Sequence, residues 1–207
     1  MKNYVVEFIG TFFLVLVIGL CVIWPGAGAL APLAIGGILT VMVYAGGYIS
    51  GGHYNPAVTL AVWMRGKCDT KDVFPYMGAQ VLGAILAVLF VNILKFKTLV
   101  GVANPQVFKA LLVEFVFTFA LAFVVLNVAT SKKTAGNSYY GLAIGFTLMT
   151  AVFAGGAISG GAFNPAVAIG ITMMGLSKWS NLWLFLIGNF AGGALAAVAF
   201  KFTSKEE

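Results

Sequence analysis

The residues best placed to do chemistry in this sequence form a short loop that occurs twice. GGYISGGHYNPAV occupies residues 46–58 and GGAISGGAFNPAV occupies residues 155–167, with ten of thirteen positions identical. In each copy the Asn suits a helix N-cap, and the Pro suits the first helical position because its missing N–H would be unpaired there. The pattern predicts two short helices, which begin at Asn55, Pro56 and Ala57 and at Asn164, Pro165 and Ala166.

Two helix N-termini that face each other would concentrate positive charge, since each carries about half an elementary charge. Such a point repels cations and protons, whereas the amides of Asn55 and Asn164 would offer N–H donors to a neutral molecule. The glycine pairs before each Asn permit an irregular backbone, which is tolerated at membrane depth beside a water-filled cavity. The loops therefore predict a cavity for uncharged molecules. The alternative is that they merely cap short packing helices.

Other reactive residue types are scarce. His53 is the single histidine, and the two cysteines, Cys21 and Cys68, have no metal-ligand spacing. We therefore predict no catalytic activity, no metal site and no cofactor. The 12 Lys and Arg residues give a net charge of +6 but are dispersed among connectors, which argues against a nucleic-acid partner.

The composition is that of an integral membrane protein. The chain is 61% hydrophobic and 9% charged, with a mean hydropathy of +1.01, against about 25% charged in soluble domains. Six segments approach the ~20 apolar residues that cross a bilayer as a helix: residues 4–24, 32–50, 73–94, 107–130, 138–156 and 179–201. The first contains Glu7 and precedes no cleavage site, so we interpret it as a retained span. The apolar segments after each Asn-Pro-Ala have about ten residues and reach halfway across.

The repeat extends beyond the loops. VEFIGTFFLVLV from Val6 resembles VEFVFTFALAFV from Val113, which aligns Glu7 with Glu114. Three crossings per copy is an odd number, so the copies are inverted relative to each other and the loops enter from opposite faces. We predict one membrane domain over residues 1–207, with repeats of about 1–100 and 107–207.

The distribution of basic residues predicts the orientation. With the N-terminus inside, eight Lys and Arg fall on the inner side and four on the outer side, which favours cytoplasmic termini in a plasma membrane, or the inner membrane of a bacterium. The inner set is Lys2, Arg65, Lys67, Lys71, Lys132, Lys133, Lys201 and Lys205, and the outer set is Lys95, Lys97, Lys109 and Lys178. Four polar residues within spans are expected to hydrogen bond between helices, namely Gln80, Asn92, Asn127 and Asn189.

With six spans, inverted halves, two NPA half-helices and one Glu in each of spans one and four, the chain resembles the aquaporin family, the major intrinsic proteins. The resemblance covers essentially the whole chain. It implies an all-α fold of six transmembrane helices and two re-entrant half-helices, and a passive channel in the lipid bilayer, usually a homotetramer. It also implies that Glu7 and Glu114 each accept bonds from the loop of their own half, and that His53 lines the pore. The alternatives are that the carboxylates couple protons or ions and that His53 is a pH-sensitive gate.

The resemblance places the family's narrow filter at Ile35, Val152, Gly161 and Val167. Most members have arginine at the position of Val167, and water-selective members add an aromatic residue and a His at the positions of Ile35 and Val152. Here all four positions are small or aliphatic. An arginine narrows a pore and supplies fixed charge and donors, so its absence predicts a wider, less polar filter. Glycerol channels commonly follow the arginine with Asp, whereas Ala168 follows here.

We therefore predict a passive channel for water and small uncharged solutes, such as glycerol-like polyols, urea-like molecules and neutral metalloid hydroxides, that excludes ions and protons. One alternative is a water-selective channel. Another is an ion-coupled secondary transporter, which also uses inverted repeats and broken helices. A transporter needs a charged coupling site at the midplane, for which Glu7 and Glu114 are the available residues.

Overall fold

The computed structural model describes residues 1–95 and 105–204, and within those ranges the chain folds into eight α-helices without a β-strand. Six helices are long and apolar enough to cross a membrane, and α3 and α7 have nine residues each. The helices are α1 Lys2–Val22, α2 Ala31–Ser50, α3 Pro56–Met64, α4 Thr70–Leu94, α5 Val107–Val125, α6 Tyr140–Ser159, α7 Pro165–Met173 and α8 Leu182–Thr203. This architecture confirms the predicted all-α membrane fold of six spans and two half-helices.

The two halves have the same helix arrangement. In the first half α1 packs against α2 and α4, and in the second half α5 packs against α6 and α8. Because six crossings is an even number, the start of α1 and the end of α8 share one face, which we call the termini face; the opposite one is the distal face. Lys97, Lys205 and the predicted repeat boundaries at residues 100 and 207 lie outside the described residues.

The halves interlock through the half-helices. Each half-helix packs against the last span of the other half, α3 against α8 and α7 against α4. A glycine makes one of these approaches close, since a Cβ on Gly193 of α8 would lie 2.5 Å from the carbonyl oxygen of Ala57 in α3. Each half therefore supplies part of the packing surface for the half-helix of the other.

The helices α2 and α6 cross between the halves at a glycine contact. A Cβ on Gly36 would lie 2.6 Å from the carbonyl oxygen of Gly145, and a Cβ on Gly145 would meet the hydroxyl of Thr40 and the carbonyl oxygen of Gly36. The two backbones touch because neither glycine has a side chain. Since the residues occupy equivalent positions in the two repeats, the contact lies on the pseudo-twofold axis.

The helix α5 ends in a π-helical turn at Leu126–Thr130, on the termini face. The Asn127 amide donates to the carbonyl oxygen of Phe123 in its own helix, at 2.8 Å, so the prediction of an interhelical bond is wrong for this residue. The hydroxyl of Thr134 donates to the freed carbonyl of Asn127 at 2.6 Å. Asn92 is exposed near the distal end of α4.

Candidate pore

The two asparagines cap the half-helices as the sequence predicts. Asn55 has an extended backbone, and its Oδ1 accepts from the N–H groups of Ala57 at 2.8 Å and Val58 at 3.4 Å. Asn164 repeats the geometry, with its Oδ1 accepting from Ala166 at 2.9 Å and Val167 at 3.4 Å. The proline after each Asn starts the helix where no N–H is needed.

The amide nitrogens of the two asparagines bind the opposite loop. Asn55 Nδ2 donates to the carbonyl oxygen of Phe163 at 2.9 Å, and Asn164 Nδ2 donates to the carbonyl oxygen of Tyr54 at 2.8 Å. The sequence predicts that these N–H groups face a passing molecule, and in the structure one of the two on each asparagine binds the opposite loop instead. We call these two bonds, each from an asparagine to the loop of the other half, the crossed bonds. Because a carboxamide has two N–H groups and the crossed bond uses one, a single donor is left on each asparagine.

The crossed bonds depend on two residues that the sequence analysis missed. Tyr54 and Phe163 both have φ of +48°, a left-handed conformation that is unusual for residues other than glycine. This conformation costs about 1–2 kcal/mol per residue. It turns each carbonyl towards the asparagine of the other half. Bulky aromatic residues carry no sequence signal for this conformation.

The carboxylates of Glu7 and Glu114 hold the loops in their own halves. Glu7 accepts from the N–H groups of His53 at 3.0 Å and Tyr54 at 2.6 Å, and Glu114 accepts from Ala162 at 2.9 Å and Phe163 at 2.7 Å. The loop contacts that the family resemblance implies are therefore present. Both carboxylates are fully buried.

Side chains complete both carboxylate clusters. Glu7 also accepts from the Ser50 hydroxyl at 2.6 Å and the Gln80 amide at 2.8 Å. Glu114 accepts from Ser159 at 2.7 Å and Asn189 at 2.7 Å. The interhelical bonds predicted for Gln80 and Asn189 are therefore confirmed. Each carboxylate has four donors, which is the full capacity of an ionised carboxyl group.

A cavity of about 60 Å³ runs along both asparagines. Its wall is largely aliphatic and is built from equivalent residues of the two repeats, such as Leu14 with Leu121 and Leu39 with Leu148. The predicted filter residues all line this cavity, namely Ile35, Val152, Gly161 and Val167. A space of this size holds several water molecules, since one water needs roughly 10–15 Å³.

His53 also lines the cavity, at its end nearer the termini face. Its Nδ1 lies 3.1 Å from the hydroxyl of Thr59, and its ring centroid lies 5.1 Å from that of Tyr76. Beyond His53 a vestibule of about 480 Å³ opens towards Lys67 and Asp69. Within the described residues, no group of three His, Cys, Asp or Glu side chains converges in a way that could hold a metal ion.

The structure has six spans around a cavity, and two capped half-helices enter this cavity from opposite faces. This arrangement is that of a multi-pass membrane channel. The family model described as Major intrinsic protein matches residues 1–200. The chain belongs to this family, whose members are passive channels for water or small solutes and not enzymes.

Individual relatives agree with the family assignment. The chain is 37% identical to glycerol uptake facilitator protein-like 6 of Lactiplantibacillus plantarum, over 100% of both proteins. It is 36% identical to aquaporin NIP1-4 of Oryza sativa subsp. japonica, over 94% of this chain and 74% of the relative. The X-ray structure of the aquaglyceroporin from Plasmodium falciparum has the same fold, with a TM-score of 0.78, 20% identity, and coverage of 96% of this chain and 94% of that one.

Proposed function

We propose that this channel conducts water together with small uncharged solutes and excludes ions and protons. The solute classes are glycerol-like polyols, urea-like molecules and neutral metalloid hydroxides. The observation that carries the proposal is the composition of one ring of the cavity, which lies towards the distal face. Its members are Ile35, Val152, Gly161 and Val167.

The ring has no charged or aromatic side chain. Val167 lies in the first turn of α7, is 2% exposed, and lines the cavity. Gly161 has φ of +68° and adds only backbone to the wall. A ring of this composition leaves more room than one with an arginine, and it does not fix a charge or extra donors in the path. It therefore favours passage of molecules larger than water.

Ion exclusion is supported by the electrostatics at the asparagine pair. The N-termini of α3 and α7 both point into the cavity, and each carries a partial positive charge. The oxygens of Asn55 and Asn164 are used in capping, so N–H groups remain for a solute. A cation meets this positive region after losing water between aliphatic walls, which makes its passage costly.

The membrane placement is a separate part of the proposal, and it is supported by the excess of Lys and Arg on the side of the termini. We place the termini face in the cytoplasm of a plasma membrane, and we propose a homotetramer with one pore in each subunit. The proposal also assigns the pore to both repeats, so that residues of about 1–100 and 107–207 contribute equivalent halves. The name of the bacterial relative, a glycerol uptake facilitator-like protein, is consistent with a polyol as one of the solutes.

Stopped-flow light scattering on proteoliposomes tests the proposal. Vesicles with the protein should shrink faster than empty vesicles in an impermeant osmolyte, and they should re-swell when glycerol or urea is the osmolyte. A pH-sensitive dye inside the vesicles should report no proton leak. Passage of water without any solute would establish the water-selective alternative. Flux that saturates and follows a proton or sodium gradient would establish a carrier.

A further inference from the structure

We propose that the solute limit of this channel is set by a neck between His53 and Val125, and not by the ring of Ile35, Val152, Gly161 and Val167. The neck lies at the end of the cavity nearer the termini face. The inference rests on the proposed channel function and names the residues that select its solutes.

Two spaces of very different size meet at these residues. The cavity along the asparagines measures about 60 Å³, and the vestibule on the termini face measures about 480 Å³. Among the described residues, His53 and Val125 are the two that line both spaces. A solute that moves from the asparagine pair to the vestibule therefore passes the imidazole of His53 and the isopropyl group of Val125.

The imidazole of His53 is held on several sides. The residue is 7% exposed, its backbone N–H donates to Glu7, and its ring Nδ1 is 3.1 Å from the Thr59 hydroxyl. Thr59 is fixed in turn by the amide of Gln80, at 2.9 Å. The ring also packs on Tyr76. These contacts prevent the ring from rotating out of the path.

The other ring nitrogen of His53 lies beside Gly51. A Cβ on Gly51 would lie 3.0 Å from His53 Nε2, so the glycine leaves this nitrogen unobstructed. Because Nδ1 is engaged with Thr59, Nε2 is the atom that can exchange a hydrogen bond with a solute. The neck therefore combines a size limit with one polar contact.

Val125 is the second residue that lines both spaces, and its backbone is restrained. It is 3% exposed and is the last residue of α5 before the π-helical turn. The bond from Asn127 to the carbonyl oxygen of Phe123 holds the backbone on either side of Val125. The valine side chain is thus placed by a backbone that its own helix restrains.

Comparison of the repeats supports the neck as the narrower point. The residues equivalent to His53 and Val125 are Ala162 and Ile18, and both line the cavity towards the distal face. A methyl group therefore stands where the neck has an imidazole ring. The other exchange is small, since Ile18 is one methylene group larger than Val125. Since the first repeat has an imidazole ring where the second has a methyl group, we infer that selection takes place at the neck.

The test compares the ratio of glycerol to water permeability in proteoliposomes. We expect V125L to lower this ratio at least fivefold, because the longer side chain enters the neck. We expect H53A, which copies the second repeat, to raise it at least threefold and to admit a four-carbon polyol. The matched control is V116L on the same helix, at a position 44% exposed on the outside of the helix bundle, which should leave the ratio unchanged.

A variant of the distal ring decides between the two sites. The neck is not the selecting point if V152L lowers the ratio as much as V125L does. It is also not the selecting point if H53A and V125L both fold normally and leave the ratio unchanged. If the proposed function itself is wrong, the result differs: vesicles with the wild-type protein have the same glycerol permeability as empty vesicles. In that case a gain of glycerol passage in H53A still supports the neck, and its absence overturns the inference.

Discussion

Glu7 and Glu114 occupy equivalent positions in the two repeats and are saturated by equivalent donors. Each accepts from two backbone N–H groups of its own loop, from one serine and from one side-chain amide. A carboxylate with all its acceptor sites occupied is poorly suited to take up and release a proton or a sodium ion. The arrangement favours a role in holding the loops over a role in coupling.

Replacing either carboxylate by an amide should therefore affect stability more than selectivity. In E7Q or E114Q, one oxygen is replaced by an NH2 group that faces a donor. Loss of a buried hydrogen bond to a charged group costs about 1.5–3 kcal/mol. We expect a lower thermal midpoint in detergent and less protein in the membrane, with the glycerol-to-water ratio of the remaining protein unchanged.

The control for these variants is D69N, because the Asp69 side chain is 73% exposed and forms a surface ion pair with Lys71. This change should leave both abundance and thermal midpoint within error of the wild type. Normal abundance of E7Q or E114Q together with a new proton flux would show that the carboxylates couple ions after all.

The glycine crossing between α2 and α6 gives a second prediction, with a neighbouring residue as control. G36A places a methyl group against Gly145 and Met149, so we expect it to destabilise the fold by about 1–3 kcal/mol, as overpacking does. A Cβ on Gly37 would meet nothing within 4 Å. G37A should therefore be neutral or stabilising by up to ~1 kcal/mol, because alanine favours the helix. Thermal unfolding followed by tryptophan fluorescence would measure both, and equal midpoints would contradict the close crossing.

An arginine at the position of Val167 should narrow the range of solutes. The side chain would enter a ring that is otherwise aliphatic and would add charge and several donors. We expect V167R to reduce glycerol permeability at least tenfold while water permeability falls less than threefold in stopped-flow measurements. V167L serves as the control for added volume without charge. Unchanged glycerol flux in V167R would remove Val167 from the path.

Cys68 can report which face of the protein is cytoplasmic. It lines the vestibule on the termini face, and in a C21S background it is the remaining cysteine of the chain. A membrane-impermeant maleimide should label it in inside-out vesicles and not in intact cells. Labelling of intact cells would place the termini face outside.

The same thiol should react slowly at neutral pH. Burial, and then the nearby carboxylates of Asp72 and Asp69, raise the pKa of Cys68 to about 11. Because the thiolate is the reactive form, its rate of labelling should rise about tenfold per pH unit between pH 7 and 9. A rate that levels off near pH 8.5 would indicate an exposed thiol with an ordinary pKa.

Much of the fold follows from periodicity and length that are visible in the sequence. Apolar runs of about 20 residues define the spans, and Asn-Pro at residues 55–56 and 164–165 fixes the starts of the half-helices. The repeat then dictates that the two loops enter from opposite faces. These features depend on local preferences and on chain topology, so they need no knowledge of packing.

The details that complete the pore depend on contacts between distant residues. The left-handed backbone of Tyr54 is held by Glu7 and by a bond from its hydroxyl to the carbonyl oxygen of Met42, at 2.9 Å. Neither contact is visible in the type of residue at position 54. The π-helical turn after Val125 is likewise bound by a residue of the next connector, since the Thr134 hydroxyl donates to the carbonyl oxygen of Asn127. Local sequence preference could not have located either feature.

The crossed bonds between the loops have a consequence for the order of assembly during synthesis. Among the described residues, the four donors to Glu7 all lie in the first half of the chain, so the first loop can form once Gln80 has been synthesised. The amide of Asn55, however, can form its crossed bond only after Phe163 has been synthesised, more than a hundred residues later. The pore is therefore complete only after the second loop has inserted, and until then the first half is a folding intermediate in the bilayer.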